Sequence, residues 1–373
     1  MNVSPVLPGE RERVRALEEV GVPVRVAVRP ENPFEEVARA VSAEPRVLGA
    51  ALTQPERALE MRVFWTRLRR VTLEAVEELR PDVVLIGHDM SMAWSDDLPA
   101  DLPAVLTCHN LLWNWYESRA RLSDGLTAVL LRAEAWRYRR FVASRLPRFH
   151  TAVAVSTSER DELVEMGARH VELIPTGVDI EALRPLPESD GPPRVLFTGT
   201  MSYPPNREGG AWLVDRVWPI VREQLVDARL DIVGKDPDST LVGRGGRDGV
   251  TVAGFVPSMA PYFEAAHVIA VPILTGAGIR VKIIEALSAG RPVVSTSLGF
   301  EGLGLDPGRH LLVGDSPDDF AQALISLLRE PEARARLSSE GRTRAERDFD
   351  WRELGRRLET VLAAAASDGA ACR

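Results

Sequence analysis

Lys282 and Glu285 stand three positions apart, just after the apolar run VIAVPIL and the glycine-bearing stretch TGAGI. Residues at that spacing share one face of a helix, so a cation and a carboxylate would be presented side by side. The run Val268–Leu274 reads as a buried parallel strand, and Gly276 and Gly278 open a tight loop after it. In the helix that follows, Val281, Ile284 and Leu287 are spaced to face a core, and RPVVST reads as the next strand. A glycine loop leading from a strand into a helix leaves backbone N–H groups free to meet an anion, and the helix dipole favours negative charge there. A cation for phosphate beside a carboxylate for paired hydroxyls suits a nucleotide sugar; the plainer alternative is a solvated ion pair.

Composition sharpens that choice. Of 46 basic residues only Lys235 and Lys282 are lysine, and both follow glycine-bearing loops at predicted strand ends. An ammonium is a compact point charge that the planar arginine fork does not replace. The length of 373 residues fits two domains of about 150–200 residues, and 45% hydrophobic residues excludes a disordered chain. A net charge of −8 argues against a general nucleic-acid binder, which needs a basic face. Cys108 and Cys372 alone build neither a disulfide framework nor a metal site, and they fit a reducing cytosol. With no charged-then-apolar leader and no apolar run near ~18 residues, neither a signal peptide nor a transmembrane helix is expected.

The elements that must position the pair alternate along the chain. In the first half Glu10–Val20 reads as a helix, PVRVAV as a strand, and Pro55–Arg80 as a long helical segment. PDVVLIG, PAVLTC and HTAVAVS follow as short apolar strands, and HVELIPTGVD closes the half. Strands alternating with helices predict α/β, with parallel, doubly wound sheets, whose ligands lie beyond the carboxyl ends of the strands. There stand His88 and Asp89 after one run, and His109 and Asn110 after another. A histidine at a strand end is structural or functional; two with orienting neighbours make His109 a functional candidate. Trp113, Trp115 and Tyr116 cluster in an expected loop, as a binding face on the acceptor side or as a plug over the core. Between Arg119 and Arg148 stand eight arginines against Asp124 and Glu134, with Trp136, Tyr138 and Phe141 among them. That pattern reads either as a solvated basic helix or as a peripheral contact with anionic lipid or a phosphorylated acceptor.

LRPLPESDGPP, residues 183–193, is a linker by composition. A second α/β unit opens with RVLFTGTMS, continues through a helix over Asn206–Asp227, and adds strands at ARLDIVGK, VTVAGFV, VIAVPIL and RPVVST. Pro317–Arg329 and Trp351–Ala366 read as amphipathic helices. The expected organisation is two Rossmann-like domains facing a cleft, residues 1–184 on the acceptor side and 194–345 on the nucleotide side, with 346–373 returning to the first.

These stretches resemble the retaining glycosyltransferases of the GT-B fold, specifically family 4. VLFTGTMSYPPN, LDIVGK, VTVAGFV, GAGIRVKIIEALSAGRPVVST and LLVGDSPDDFAQAL carry the likeness over nearly all of Arg194–Leu328; TCHN, VAVSTSERDEL and IPTGVD carry it more loosely before that. The resemblance implies that Glu285 binds the donor ribose hydroxyls, with Arg280 and Lys282 near the diphosphate. It places the loop Gly276, Ala277, Gly278 and Ile279 against donor phosphate or sugar, and Gly199 and Thr200 at the strand-end turn beside the diphosphate. It puts the backbone of Val256 against the base and His109 near the donor sugar, and Lys235 is grouped with the donor side. A nucleoside diphosphate sugar would be the substrate, with no further cofactor and no required metal. Retention of configuration would follow, with the departing phosphate oxygen as base. A cytoplasmic enzyme of glycan or cell-envelope synthesis is the expected setting, at most peripheral at the inner membrane face.

Three departures stand out. Where the family pairs two glutamates eight apart, the position eight before Glu285 is Ala277. The loop SYPPNREG offers only Arg207 where many members carry an Arg and a Lys, so phosphate neutralisation would rest on Arg280 and Lys282. MNVSPVLPG looks like only the end of an opening strand, with Gly9 a weak stand-in for a donor-side loop. The departures keep open a non-catalytic nucleotide-sugar or glycan-binding protein, and the fold keeps open a sugar-nucleotide epimerase or a phosphorylase. A nicotinamide enzyme is disfavoured, because Gly276-x-Gly278 lacks its third glycine.

Overall fold

The computed structural model describes residues 2–6, 24–28, 69–108, 111–121, 123–276 and 278–371. The helix expected over Glu10–Val20, the start of the segment from Pro55, and Gly9, His109, Asn110 and Ala277 lie outside the described residues. The chain forms two compact units: residues up to Leu106 with Arg148–His150 and Ala364–Arg373, and Thr107–Pro147 with Thr151–Ala363.

In the first unit, β1 (Asn2–Val6) pairs in parallel with β2 (Val24–Val28) along its whole length. The stretch that looked like only the end of an opening strand forms this five-residue strand, and Pro5, which has no N–H to donate, stands in a strand with one described neighbour. A helix over residues 69–79 (α1) precedes β3 (Val84–Gly87) and β4 (Ala104–Thr107). His150 Nε2 lies within hydrogen-bond distance, 2.9 Å, of the Asp368 carboxylate in the same unit.

After β4 come α2 (Leu112–Arg121), α3 (Gly125–Arg145), β5 (Thr151–Ala154), α4 (Thr157–Glu165) and β6 (Val171–Leu173), and β5 pairs in parallel with β6. The aromatic cluster expected in a loop is helical, within α2. The ends of α4 follow local rules: the Ser156 hydroxyl accepts from the Glu159 N–H, and the Glu159 carboxylate accepts from the Val155 N–H.

The remaining elements build a six-stranded parallel sheet. They are β7 (Arg194–Thr198), α5 (Pro204–Trp212), α6 (Trp218–Gln224), β8 (Arg229–Val233), β9 (Val250–Gly254), β10 (Val268–Val271), α7 (Val281–Ser288), β11 (Val293–Ser295), β12 (Leu312–Val313), α8 (Pro317–Arg329), α9 (Pro331–Asp348) and α10 (Trp351–Ala371). Strand order is β12-β11-β10-β7-β8-β9. Val195 and Phe197 pack on one face with Trp218 and Phe320, whereas Leu196 packs on the other with Ile283 and Leu287. Burial on both faces is why these strands read as unbroken apolar runs.

The helix expected as one piece over Asn206–Asp227 is interrupted by a π-helical turn, Leu213–Val217, before α6. Pro219 lacks an N–H and its ring crowds the carbonyl four residues back, so a regular ladder cannot run through it. The 18-residue α9 shows no apolar stripe in its sequence and still buries Arg334, Leu337, Gly341 and Ala345 along one side.

Strand order also decides where a ligand can sit. From β7 the chain moves one way to β8 and β9, then crosses to β10 on the other side. The gap between β7 and β10 is thus a topological switch point, where helices leave opposite faces and a crevice opens at the carboxyl ends. Two glycine-bearing turns meet this gap, Gly199-Thr200 and the loop 272–280.

Candidate functional site

The loop after β10 is shaped by its glycines. Gly276 and Gly278 take φ of +93° and +94°, a left-handed backbone that favours glycine. A Cβ on Gly276 would lie 2.9 Å from Pro205 Cγ, so α5 leaves no room for a side chain. At the start of α5, Glu208 accepts a 2.6 Å hydrogen bond from the Thr275 hydroxyl and ties the same loop. Arg280 caps the loop from inside: it is 8% exposed and donates from Nη1 to the Gly278 carbonyl at 2.8 Å. Burial lowers its pKa, while Tyr203 and Glu301 act to raise it.

From the first turn of α7, Lys282 reaches back to the end of β7. Its ammonium donates to the Thr198 carbonyl and, at 2.8 Å, to the Asn206 amide oxygen, and lies 4.9 Å from the centroid of the Phe197 ring. Both hydrogen-bond acceptors are uncharged. Burial, then the neighbouring Arg280 charge, pulls the Lys282 pKa down to about 7, with Glu285 opposing. Near neutral pH this lysine is poised between its two forms, and an anion bound beside it would draw a proton onto it. Glu285, on the next turn, is partly buried, and burial raises its pKa against the pull of Lys282.

Backbone contact closes the floor. Gly199 donates to Val233 at 3.0 Å, Met201 to Lys235 at 2.7 Å and Gly234 to Gly254 at 2.8 Å. A Cβ on Gly234 would fall 1.8 Å from the Gly199 carbonyl oxygen, and a Cβ on Gly199 would fall 2.9 Å from Lys282 Nζ. Close approach of the β7 and β8 ends therefore requires both glycines. Thr200 belongs to this turn, its carbonyl accepting from Asn206 Nδ2 at 3.0 Å.

The structure thus brings together Gly199, Thr200, Gly276, Gly278, Ile279, Arg280, Lys282 and Glu285. The other residues expected on the donor side lie at the β8 and β9 ends. Lys235 is exposed, its ammonium 5.2 Å from the ring centroid of the exposed Phe255, and Val256 packs partly buried on the apolar cluster behind the sheet. Ile279 packs near Gly302 and Ser156. Ala277 and the pair His109 and Asn110 lie outside the described residues.

Among the acceptor-side candidates, His88 follows β3 with φ of +73°, exposed, and Asp89 beside it is buried. Trp113 is fully buried, its indole donating to Glu162 at 2.6 Å, and Asn114 donates to the same carboxylate at 3.1 Å. That ring holds α2 against α4 and offers no face to a ligand; Trp115 carries the exposed ring of the cluster.

Asn206 and Tyr203 escaped the sequence reading. Pro204 and Pro205 do mark a helix start after β7, and Asn206 is the buried polar residue of that first turn. A polar residue there has no periodicity to announce it.

Comparison with known proteins bears on this arrangement. Glycosyl transferases group 1 matches residues 192–330, and Glycosyltransferase Family 4 matches residues 11–182. The phosphatidyl-myo-inositol mannosyltransferase of Mycobacterium leprae is 31% identical over 228 residues, 58% of this chain and 60% of that one. A D-inositol 3-phosphate glycosyltransferase of Rhodococcus jostii is 29% identical over 230 residues, 53% of this chain and 49% of that one. The chain thus spans about 60% of the length of its mannosyltransferase relatives. Among solved structures, sucrose-phosphate synthase from Thermosynechococcus elongatus superposes with a TM-score of 0.66 at 20% identity, covering 98% of this chain and 96% of that one. Anabaena HepE in complex with UDP-glucose gives 0.64 at 14% identity, covering 94% and 88%.

Proposed function

The chain belongs to the family 4 glycosyltransferases, glycosyl transferases group 1, with the GT-B fold, and we propose that it transfers a sugar from a nucleoside diphosphate sugar to an acceptor hydroxyl with retention of configuration. The observation that carries this reading is the Lys282 ammonium, held at the switch point by uncharged oxygens. Among the described residues no carboxylate hydrogen-bonds this ammonium, and a diphosphate would supply an anion to it.

In this reading Glu285 grips the ribose hydroxyls, and Arg280 and Lys282 face the diphosphate. As the glycosidic bond breaks, negative charge grows on the departing phosphate, and fixed cations stabilise it more than they stabilise the intact donor. A departing phosphate oxygen takes the acceptor proton. His109 orients the donor sugar, and His88, Asp89 and Asn110 serve the acceptor side. The two groups of relatives have inositol in their names, so inositol and its phosphates belong at the head of an acceptor panel.

Peripheral contact with anionic lipid through α3 is part of the proposal. Leu126, Val129, Leu130 and Trp136 are exposed on this helix, with exposed Arg132, Arg139 and Arg140 among them, while Ala128, Ala135 and Val142 are buried. Apolar and cationic groups on one helix surface suit the boundary between head groups and acyl chains.

The test is release of nucleoside diphosphate from a panel of nucleotide sugars, with and without acceptors. Acceptor-dependent release supports transfer. Tight binding without turnover would instead mark a binding protein, and donor inversion without acceptor an epimerase.

A further inference from the structure

An ammonium carries three N–H donors. Two of those on Lys282 go to the Thr198 carbonyl and the Asn206 amide oxygen. Asn206 comes from α5, is 8% exposed, and has its own nitrogen tied to the Thr200 carbonyl at 3.0 Å. That second bond settles which way the amide points: nitrogen to the turn, oxygen to the lysine. The side chain also passes within 2.6 Å of where a Gly199 Cβ would be, so the glycine is what lets it reach Nζ.

We propose that Asn206 is the positioning residue for the Lys282 ammonium, holding it at the β7 turn with its third N–H directed to a ligand diphosphate. This rests on the donor-site reading above. The amide is suited to the task because it orients the cation without neutralising it. A carboxylate at the same place would hold Nζ equally well and compete with the phosphate for its charge.

The charged and titratable groups around Lys282 are few: Arg280 and Glu285 from its own segment, and Tyr203 with Glu301 through Arg280. Among the described residues, β7 contributes a carbonyl and the Phe197 ring, and α5 the amide itself. A change at Asn206 is thus read through Lys282 with little interference.

The experiment measures binding of UDP, GDP and ADP to the full chain by calorimetry, for the wild type, Lys282→Ala, Asn206→Ala, Asn206→Asp and the double variants with Lys282→Ala. Thermal unfolding of each variant runs alongside. For whichever nucleotide binds, Asn206→Asp is expected to weaken affinity about tenfold, the scale of one hydrogen bond to a charged group. Asn206→Ala should weaken it less, and neither change should matter once Lys282 is gone, since coupled residues fail to add. The alkaline limb of kcat/KM should move up in Asn206→Asp, where a carboxylate favours the ammonium, and down in Asn206→Ala, where an acceptor is lost. A purely structural role would lower the Tm and leave that limb in place, which overturns the proposal. So would full affinity in both Asn206 variants where Lys282→Ala binds weakly. If Lys282→Ala binds as the wild type does, or no nucleotide binds, the donor-site reading itself fails.

Discussion

The Lys282 ammonium lies 2.8 Å from the Asn206 amide oxygen, across 76 positions of chain. Through that contact the helix after β10 is tied to the helix after β7 at the point where the sheet reverses direction.

Lys282 is expected to set the alkaline side of activity. Its pKa near 7 in the folded protein means that kcat/KM falls as pH rises through that region, and substitution by Ala should flatten the limb. Lys282→Arg should not restore it, since a planar fork does not fit the space of a point charge. A limb unchanged in Lys282→Ala would assign the titration to another group.

The same group makes stability depend on pH. Folding depresses this pKa from 10.5 to about 7, so the native state carries a buried charge below pH 7, and the cost to stability shrinks as pH rises from 7 toward 10.5. Replacement by Met removes the buried charge. The variant should gain Tm chiefly below pH 7, and the gain should shrink toward pH 10. A gain independent of pH would show that the charge is not the cause.

Glu285→Ala should raise the donor KM and lower turnover, with Glu285→Gln between it and the wild type. Loss of a hydrogen bond from a charged group costs roughly 1.5–3 kcal/mol, or about tenfold to a hundredfold in kcat/KM. Unchanged transfer rates across the donor panel would remove Glu285 from the site.

Two glycines at the β7 and β8 ends should separate function from stability. A methyl on Gly199 would press on Asn206 and Lys282 Nζ, both side-chain ends. Gly199→Ala is therefore expected to lower kcat by about tenfold to a hundredfold, as misplacement near 1 Å can, and its φ of +155° adds a loss of Tm, smaller than that of Gly234→Ala. A methyl on Gly234 meets the Gly199 backbone oxygen instead. Gly234→Ala should lower the Tm by roughly 2–10 °C, the scale of overpacking in a domain of this size. Equal thermal and catalytic effects in both variants would contradict the geometry.

For α3, replacing Leu126, Leu130 and Trp136 by Ser should weaken binding to vesicles rich in anionic lipid and leave nucleotide affinity alone. Vesicles of neutral lipid serve as the control. Undiminished binding in the triple variant would remove this helix from the membrane reading. Transfer with soluble acceptors should also survive a chelator, because Arg280 and Lys282 carry the charge in the proposed mechanism; loss of activity rescued by divalent cation would overturn that part.

Much of this protein was written in local pattern. Unbroken apolar runs located β7 to β11, since a strand buried on both faces has no polar alternation. Spacing of three put Lys282 and Glu285 on one helical face, and the glycine loop before them marked a strand end. The ends of α8 were equally plain, with Ser316 accepting from the Asp319 N–H and Pro317 next in line.

What only the tertiary structure decided are pairings across the strand order. No local pattern links Lys282 to Thr198, 84 positions earlier. Nor does it announce α9, which packs through Gly341 against Leu287 and through Arg334, whose Nη1 donates to the Leu328 carbonyl at the end of α8. Trp113 could be read from sequence as a ligand face or as a plug over the core, and it is the buried partner of Glu162, a contact between helices that sequence spacing does not bring together. Periodicity tells each element which side to bury; which residues meet there depends on the order in which the strands line up.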